Sequence, residues 1–114
     1  GWGRILLIGS RAATENPAGQ AAFNAAKAGV AALGMTVAQE LEETGVTANV
    51  IVPSVIDTPA TRKALPFADY LDWPTPVEIA AVIEFACPGR LSKSSISSFN
   101  STPVPGEVMP DPKK

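Results

Sequence analysis

Ser10 closes the apolar run Ile5-Leu6-Leu7-Ile8 through Gly9, and thirteen positions later Phe23 and Lys27 stand four apart in an Ala-rich stretch free of proline. Residues four apart share one helix face, one turn above the other. A serine hydroxyl and a lysine ammonium brought together can polarise a substrate oxygen, or serve as nucleophile and base in acyl transfer. The hydrolytic version uses a nucleophile elbow or a Ser-x-x-Lys spacing, and neither surrounds Ser10. Phe23 carries no ionisable hydroxyl and can neither give nor take a proton. Each residue also has a plainer reading. Ser10 can simply end a strand in a turn, Phe23 can be a core aromatic, and Lys27 can extend its ammonium past apolar neighbours to water.

Composition narrows the chemistry. The chain has 114 residues, enough for one domain, with 46% hydrophobic and 18% charged residues, a globular balance. Its net charge of −2, without a basic run beyond Lys113-Lys114, gives no reason to expect nucleic acid as a partner. There is no histidine and one cysteine, Cys87. That rules out an intrachain disulfide, His ligation and a His base, so no metal site is expected, and a reducing cytoplasmic compartment fits best. The run Ile5–Ile8 is too short for a signal peptide, and neither a leader nor a membrane span is expected. The chain begins at Gly1 and enters a buried-type strand almost at once. We therefore expect a fragment, a processed product or a truncated gene, with the true beginning missing.

The elements that must position these residues follow from the pattern. Arg4–Gly9 reads as a strand covered on both faces, and Ser10–Gly19 as a loop. Residues 20–43 form a long helix, ending at Thr44-Gly45 with glycine as a left-handed cap. This helix is apolar nearly all round, so both sides should be buried. One side would cover the sheet, and the small-residue side (Ala21, Ala25, Ala28, Ala32) would meet a partner subunit in a homo-oligomer or remain within one domain. Val46–Val52 is a second strand, stopped by Pro53. Residues 54–76 are irregular and lid-like, with Tyr70 packed in them. Thr75 caps a helix running from about Val77 to Cys87, with Cys87 as a buried small hydrophobe. Glu40, Glu42 and Glu43 are a solvated helix end. Thr102-Pro103-Val104 is a candidate last strand, and residues 109–114 should be disordered. Strand–helix–strand alternation indicates an α/β fold with a parallel sheet.

Taken in order, Ser10, the Phe23-Asn24-Ala25-Ala26-Lys27 segment, Asn49-Val50-Ile51-Val52-Pro53-Ser54-Val55-Ile56-Asp57-Thr58 and the helix start at Thr75-Pro76-Val77-Glu78 resemble the C-terminal half of a short-chain dehydrogenase/reductase over about residues 1–89. The resemblance implies a partial Rossmann-like doubly wound sheet of about three strands. Residues 1–108 would then be the C-terminal part of the domain, with its first strand unpaired on one side. It implies NAD or NADP as cofactor, with an oxidoreductase activity on a carbonyl or alcohol. It makes Ser10 the group that orients the substrate oxygen, and Lys27 the residue that holds the ribose and lowers the pKa of a neighbouring tyrosine. Pro53, Ile56 and Thr58 would stand against the nicotinamide carboxamide.

Two departures stand out. Phe23 occupies the position of the catalytic tyrosine, and Ser54 replaces the usual glycine, which would strain the backbone if that position needs positive φ. The Gly-rich turn that cradles the dinucleotide pyrophosphate is also absent from this sequence. The chain is therefore expected to be inactive alone. The competing readings are a non-catalytic binding or assembly module and a degraded gene product.

Overall fold

The computed structural model describes residues 1–87 and the backbone of 94–99. Three strands form one parallel sheet in the order β1 (Gly3–Ile8), β2 (Val46–Pro53), β3 (Ser94–Phe99). Gly3 pairs with Val46 through to Ile8 with Ile51, and Ala48 pairs with Ser94 through to Pro53 with Phe99. The expected partial α/β sheet is present, and β1 lies at its edge. Pairing on one side only leaves β1 half-covered, with Ile5 exposed, rather than buried on both faces as its apolar run suggests.

Strand alternation sends side chains to opposite faces. Leu7 and Val50 face α2 (Ala21–Glu40), where Gly34 brings the helix backbone against them. Leu6, Ile8 and Ile51 face α4 (Pro76–Ala86), packing with Ile79, Val82 and Ile83. The sheet therefore carries a helix on each face. Val50 and Ile51 are fully buried, each contributing about 1.5–3 kcal/mol of burial.

Several local expectations are corrected. The Ser10–Gly19 segment is not all loop. One helical turn, α1 (Ala12–Glu15), forms where Ser10 Oγ accepts from the Ala12 N–H at 3.2 Å and Arg11 pairs with Glu15 at 2.8 Å. It ends at Asn16 in the left-handed region. Helix α2 stops at Glu40, and Gly45 has no positive φ. The chain turns instead through Leu41 and through Thr44, whose hydroxyl donates to the Leu41 carbonyl.

The outer side of α2 is open. Only Asn24, Gly34 and Ala38 of this helix are buried, because the sheet covers one face alone. By length and mean hydropathy (1.2) α2 also qualifies as a bilayer-crossing segment, contrary to the expectation that the sequence holds none. Its packing on Leu7 and Val50 marks it as the crossover helix between β1 and β2.

The 54–76 segment contains α3 (Pro59–Ala64), a turn of helix made possible by a threonine cap. Ser54 has no positive φ, so the residue in place of glycine is unstrained. Cys87, the C-cap residue of α4, is exposed rather than buried. Tyr70 packs edge-on against Trp73, with ring centroids 5.1 Å apart. Strand β3 lies at Ser94–Phe99, ahead of the Thr102–Val104 segment named as the candidate last strand. Thr102–Val104 and the 109–114 tail lie outside the described residues.

Candidate active site

The carboxyl ends of β1 and β2 converge, the place where open parallel sheets bind ligands. The Gly9 N–H donates to the Ile51 carbonyl at 2.8 Å, and the Arg11 N–H donates to the Pro53 carbonyl at 3.0 Å. Ser10, half-buried between them, is thereby fixed beside Pro53.

Lys27 reaches the same edge. It is half-buried, and its ammonium donates to the Ile8 carbonyl at 3.0 Å instead of extending to water. Phe23 lies one turn earlier on α2, its ring centroid 6.0 Å from Lys27 Nζ, and is 47% exposed. It is therefore not a core aromatic in this chain. Asn24, next to it, turns inward and donates to the Pro17 carbonyl at 3.3 Å, tying α2 to the loop after α1. The structure thus gathers Ser10, Lys27 and Pro53 at one strand end, with Phe23 on the helix above them.

Ile56 and Thr58 follow Pro53 in a turn with many hydrogen bonds. The Asp57 N–H donates to the Pro74 carbonyl at 2.8 Å. Thr58 caps α3 by accepting from the Thr61 N–H at 3.2 Å. The Thr61 hydroxyl donates to the Ile56 carbonyl at 2.6 Å and accepts from the Thr58 N–H at 2.9 Å. Asp57 receives two hydrogen bonds from Arg62, at 2.6 and 2.7 Å. Chiefly these bonds, and after them the guanidinium charge, hold the Asp57 carboxyl below its ordinary value and raise Arg62, against an opposing effect of desolvation. The Arg62 guanidinium also lies 4.7 Å from the centre of the Tyr70 ring.

The sequence reading missed Thr61 and Arg62. Thr58-Pro59-Ala60-Thr61 repeats the Thr-Pro-x-x capping pattern of Thr75-Pro76-Val77-Glu78, and that repetition was the available signal.

These residues suit the nicotinamide end of a dinucleotide. Lys27 brings a cation to the strand end, and Ile56–Thr58 hold backbone and hydroxyl groups in one fixed arrangement. The described residues include no Gly-rich strand–turn–helix to receive a pyrophosphate. Nor do they include a group of three or more His, Cys, Asp or Glu able to hold a metal.

Residues 1–68 match the family model described as short chain dehydrogenase. The chain is 33% identical over 117 aligned positions to the 3-oxoacyl-(acyl-carrier-protein) reductase MabA of Mycobacterium tuberculosis, covering 96% of this chain and 43% of that protein. It is 43% identical over 60 residues to the corresponding reductase FabG of Escherichia coli, covering 53% of this chain and 25% of that one. Among solved structures, one titled a short chain dehydrogenase/reductase family protein superposes with a TM-score of 0.71 at 29% identity, over 83% of this chain and 43% of the other. A short-chain dehydrogenase/reductase from Brucella melitensis, at 24% identity, shares the fold with a TM-score of 0.69 over 82% and 42% of the two chains. The chain spans less than half the length of these relatives. By the family match over most of its length and by its relation to MabA, the chain belongs to the short chain dehydrogenase family.

Proposed function

We infer that this chain is the C-terminal part of an NAD(P)-dependent oxidoreductase site, retaining the oxygen-orienting and ribose-holding residues but not the proton donor. The observation that carries this is the geometry at the strand end: Lys27 is anchored to the Ile8 carbonyl, and a phenyl ring stands one turn away where an acid/base is required. The names of MabA and FabG support a 3-oxoacyl thioester as the carbonyl substrate.

In this reading Ser10 orients the substrate oxygen, Lys27 holds the ribose, and Pro53, Ile56 and Thr58 bound the nicotinamide. When bound, the nicotinamide supplies the hydride. Phe23 has no ionisable hydroxyl and moves no proton. Loss of general acid/base catalysis costs about 10²–10⁴-fold, and without a pyrophosphate cradle the chain alone has little hold on the cofactor. Titration calorimetry with NADH and NADPH tests this. No saturable binding is expected at micromolar concentrations, and no NADPH consumption with an acetoacetyl thioester. Either signal overturns the reading.

A second reading, an assembly module, is favoured by the open outer side of α2, where Leu33 is 55% exposed.

A further inference from the structure

We propose that Arg62 is the joint that makes residues 57–74 one cooperative unit, which opens and recloses as a whole while the sheet and α4 stay folded.

The observation behind this is where the interactions of the segment go. Its two ends meet, the Asp57 N–H donating to the Pro74 carbonyl at 2.8 Å. Between those ends the bonds stay inside. The Leu65 N–H donates to the Thr61 carbonyl at 2.9 Å, the Ala68 N–H to the Leu65 carbonyl at 3.1 Å, and the Trp73 N–H to the Tyr70 carbonyl at 3.1 Å. The Tyr70 hydroxyl donates to the Pro66 carbonyl at 3.0 Å. Helix α3 buries no residue, and Leu65, Phe67 and Leu71 are exposed. The segment therefore draws little from the core between its first residue and the fully buried Pro74. A surface loop whose ends adjoin is packed by its own side chains. Regions with few buried apolar contacts open ahead of the core.

Arg62 connects the two halves of this loop. Its Nε and an Nη donate to the two carboxylate oxygens of Asp57 at 2.6 and 2.7 Å. Its guanidinium also lies 4.7 Å from the centre of the Tyr70 ring, and that ring stands edge-on to Trp73 at 5.1 Å. A continuous series of contacts thus runs from Asp57 through Arg62 and Tyr70 to Trp73, next to the closing residue Pro74. A lone exposed ion pair contributes little, but a two-point pair inside a network contributes more, and Asp57 is half-buried. A guanidinium offers a planar fork to a carboxylate and a face to a ring at once, whereas an ammonium is a point charge. Arginine is therefore required at this position, not positive charge alone.

Native-state hydrogen exchange of the chain in increasing urea tests the unit. The backbone N–H groups of Leu65, Ala68 and Trp73 should exchange through one shared opening with a common urea dependence. That opening should lie below the one that releases the Gly9 N–H of the sheet and the Ile79 N–H of α4. In Arg62→Gln the three should accelerate together by about tenfold or more, with Gly9 and Ile79 unchanged. Arg62→Lys should recover little of this. The pair Asp57→Asn and Tyr70→Leu should be non-additive in the exchange of the Trp73 N–H when Arg62 is present, and additive in Arg62→Gln. Unrelated urea dependences of the three groups in the parent chain overturn the inference. So do unchanged exchange in Arg62→Gln, acceleration confined to Leu65, full recovery in Arg62→Lys, or an additive cycle with Arg62 present. Acceleration of Gly9 and Ile79 along with the three in Arg62→Gln overturns it too, since the segment would then open only with the whole fold.

Discussion

Lys27 Nζ donates to the carbonyl oxygen of Ile8 at 3.0 Å, so the cation on α2 is tied to the last residue of β1, two positions ahead of Ser10. A hydrogen bond from a charged donor in a half-buried setting is worth more than a neutral one. Lys27→Met should lower stability by about 1 kcal/mol or more in urea denaturation, and Lys27→Arg should recover part of it. No change in Lys27→Met would mean that the bond carries nothing in solution.

Gly34 is the point of closest approach between α2 and the sheet. A Cβ there would press into Val50 Cγ2 and lie 3.0 Å from Leu7 Cδ1. Gly34→Ala should cost about 1–3 kcal/mol through overpacking. Gly29, on the same helix, faces open space, and a methyl group added there would meet nothing within 4 Å. Gly29→Ala should stabilise the chain by roughly 0.5–1 kcal/mol through helix propensity. Thermal melts of the two variants should move in opposite directions.

How much of this was legible before the structure depends on where each signal resides. Thr75-Pro76-Val77-Glu78 announces its helix because cap, proline and acid are all local; Thr75 caps it as read, and Glu78 reaches back to complete a capping box. The same logic in Thr58-Pro59-Ala60-Thr61 is quieter, since threonine replaces the acid and α3 has only six residues. Ser94-Ser95-Ile96-Ser97-Ser98-Phe99 carries little apolar signal in sequence, and the strand is seen in its parallel pairing with β2. Helical spacing places Phe23 and Lys27 on one face, but it does not reveal that the Ile8 carbonyl is the acceptor, because that depends on how the helix lies across the sheet.

The Asp57–Arg62 pair gives the lid a defined acid response. The folded-state pKa of Asp57 is lowered, first by the hydrogen bonds from Arg62. A depressed carboxyl contributes stability that is present above its unfolded pKa of about 3.9 and disappears as pH falls through the lower folded value. Acidification below about pH 4 should therefore loosen the 57–74 turn, measured by faster exchange of the Asp57 N–H. Asp57→Asn should remove that pH dependence, and a variant retaining it would assign the effect to another group.

The open side of α2 should be covered by a second copy of the chain. Leu33 is 55% exposed, and Ala28 and Ala32 lie exposed near it on the helix. Sedimentation should show self-association, with Ala28→Glu or Ala32→Glu shifting the chain toward monomer. A clean parent monomer at high concentration, or an oligomer unaffected by either glutamate, removes the α2 interface.

Phe23→Tyr tests the position on which the functional reading depends. The Phe23 ring is one turn from Lys27, whose ammonium is already fixed at the strand end beside Ser10. A tyrosine here would meet a nearby cation, and its pKa should fall below the free value of about 10. The site would regain a proton donor without regaining a pyrophosphate cradle. Phe23→Tyr in the chain alone should therefore give no oxidoreductase activity. Activity should appear when the Gly-rich N-terminal half of a related reductase is fused ahead of Gly1. In that fusion the phenylalanine form should be slower than the tyrosine form by about 10²-fold or more, because positioning and electrostatics survive while general acid/base catalysis does not. Steady-state rates on simple ketones and a 3-oxoacyl thioester, with both cofactors, provide the comparison. Equal rates for the two fusions would show that the proton comes from elsewhere and that position 23 is not the acid/base site.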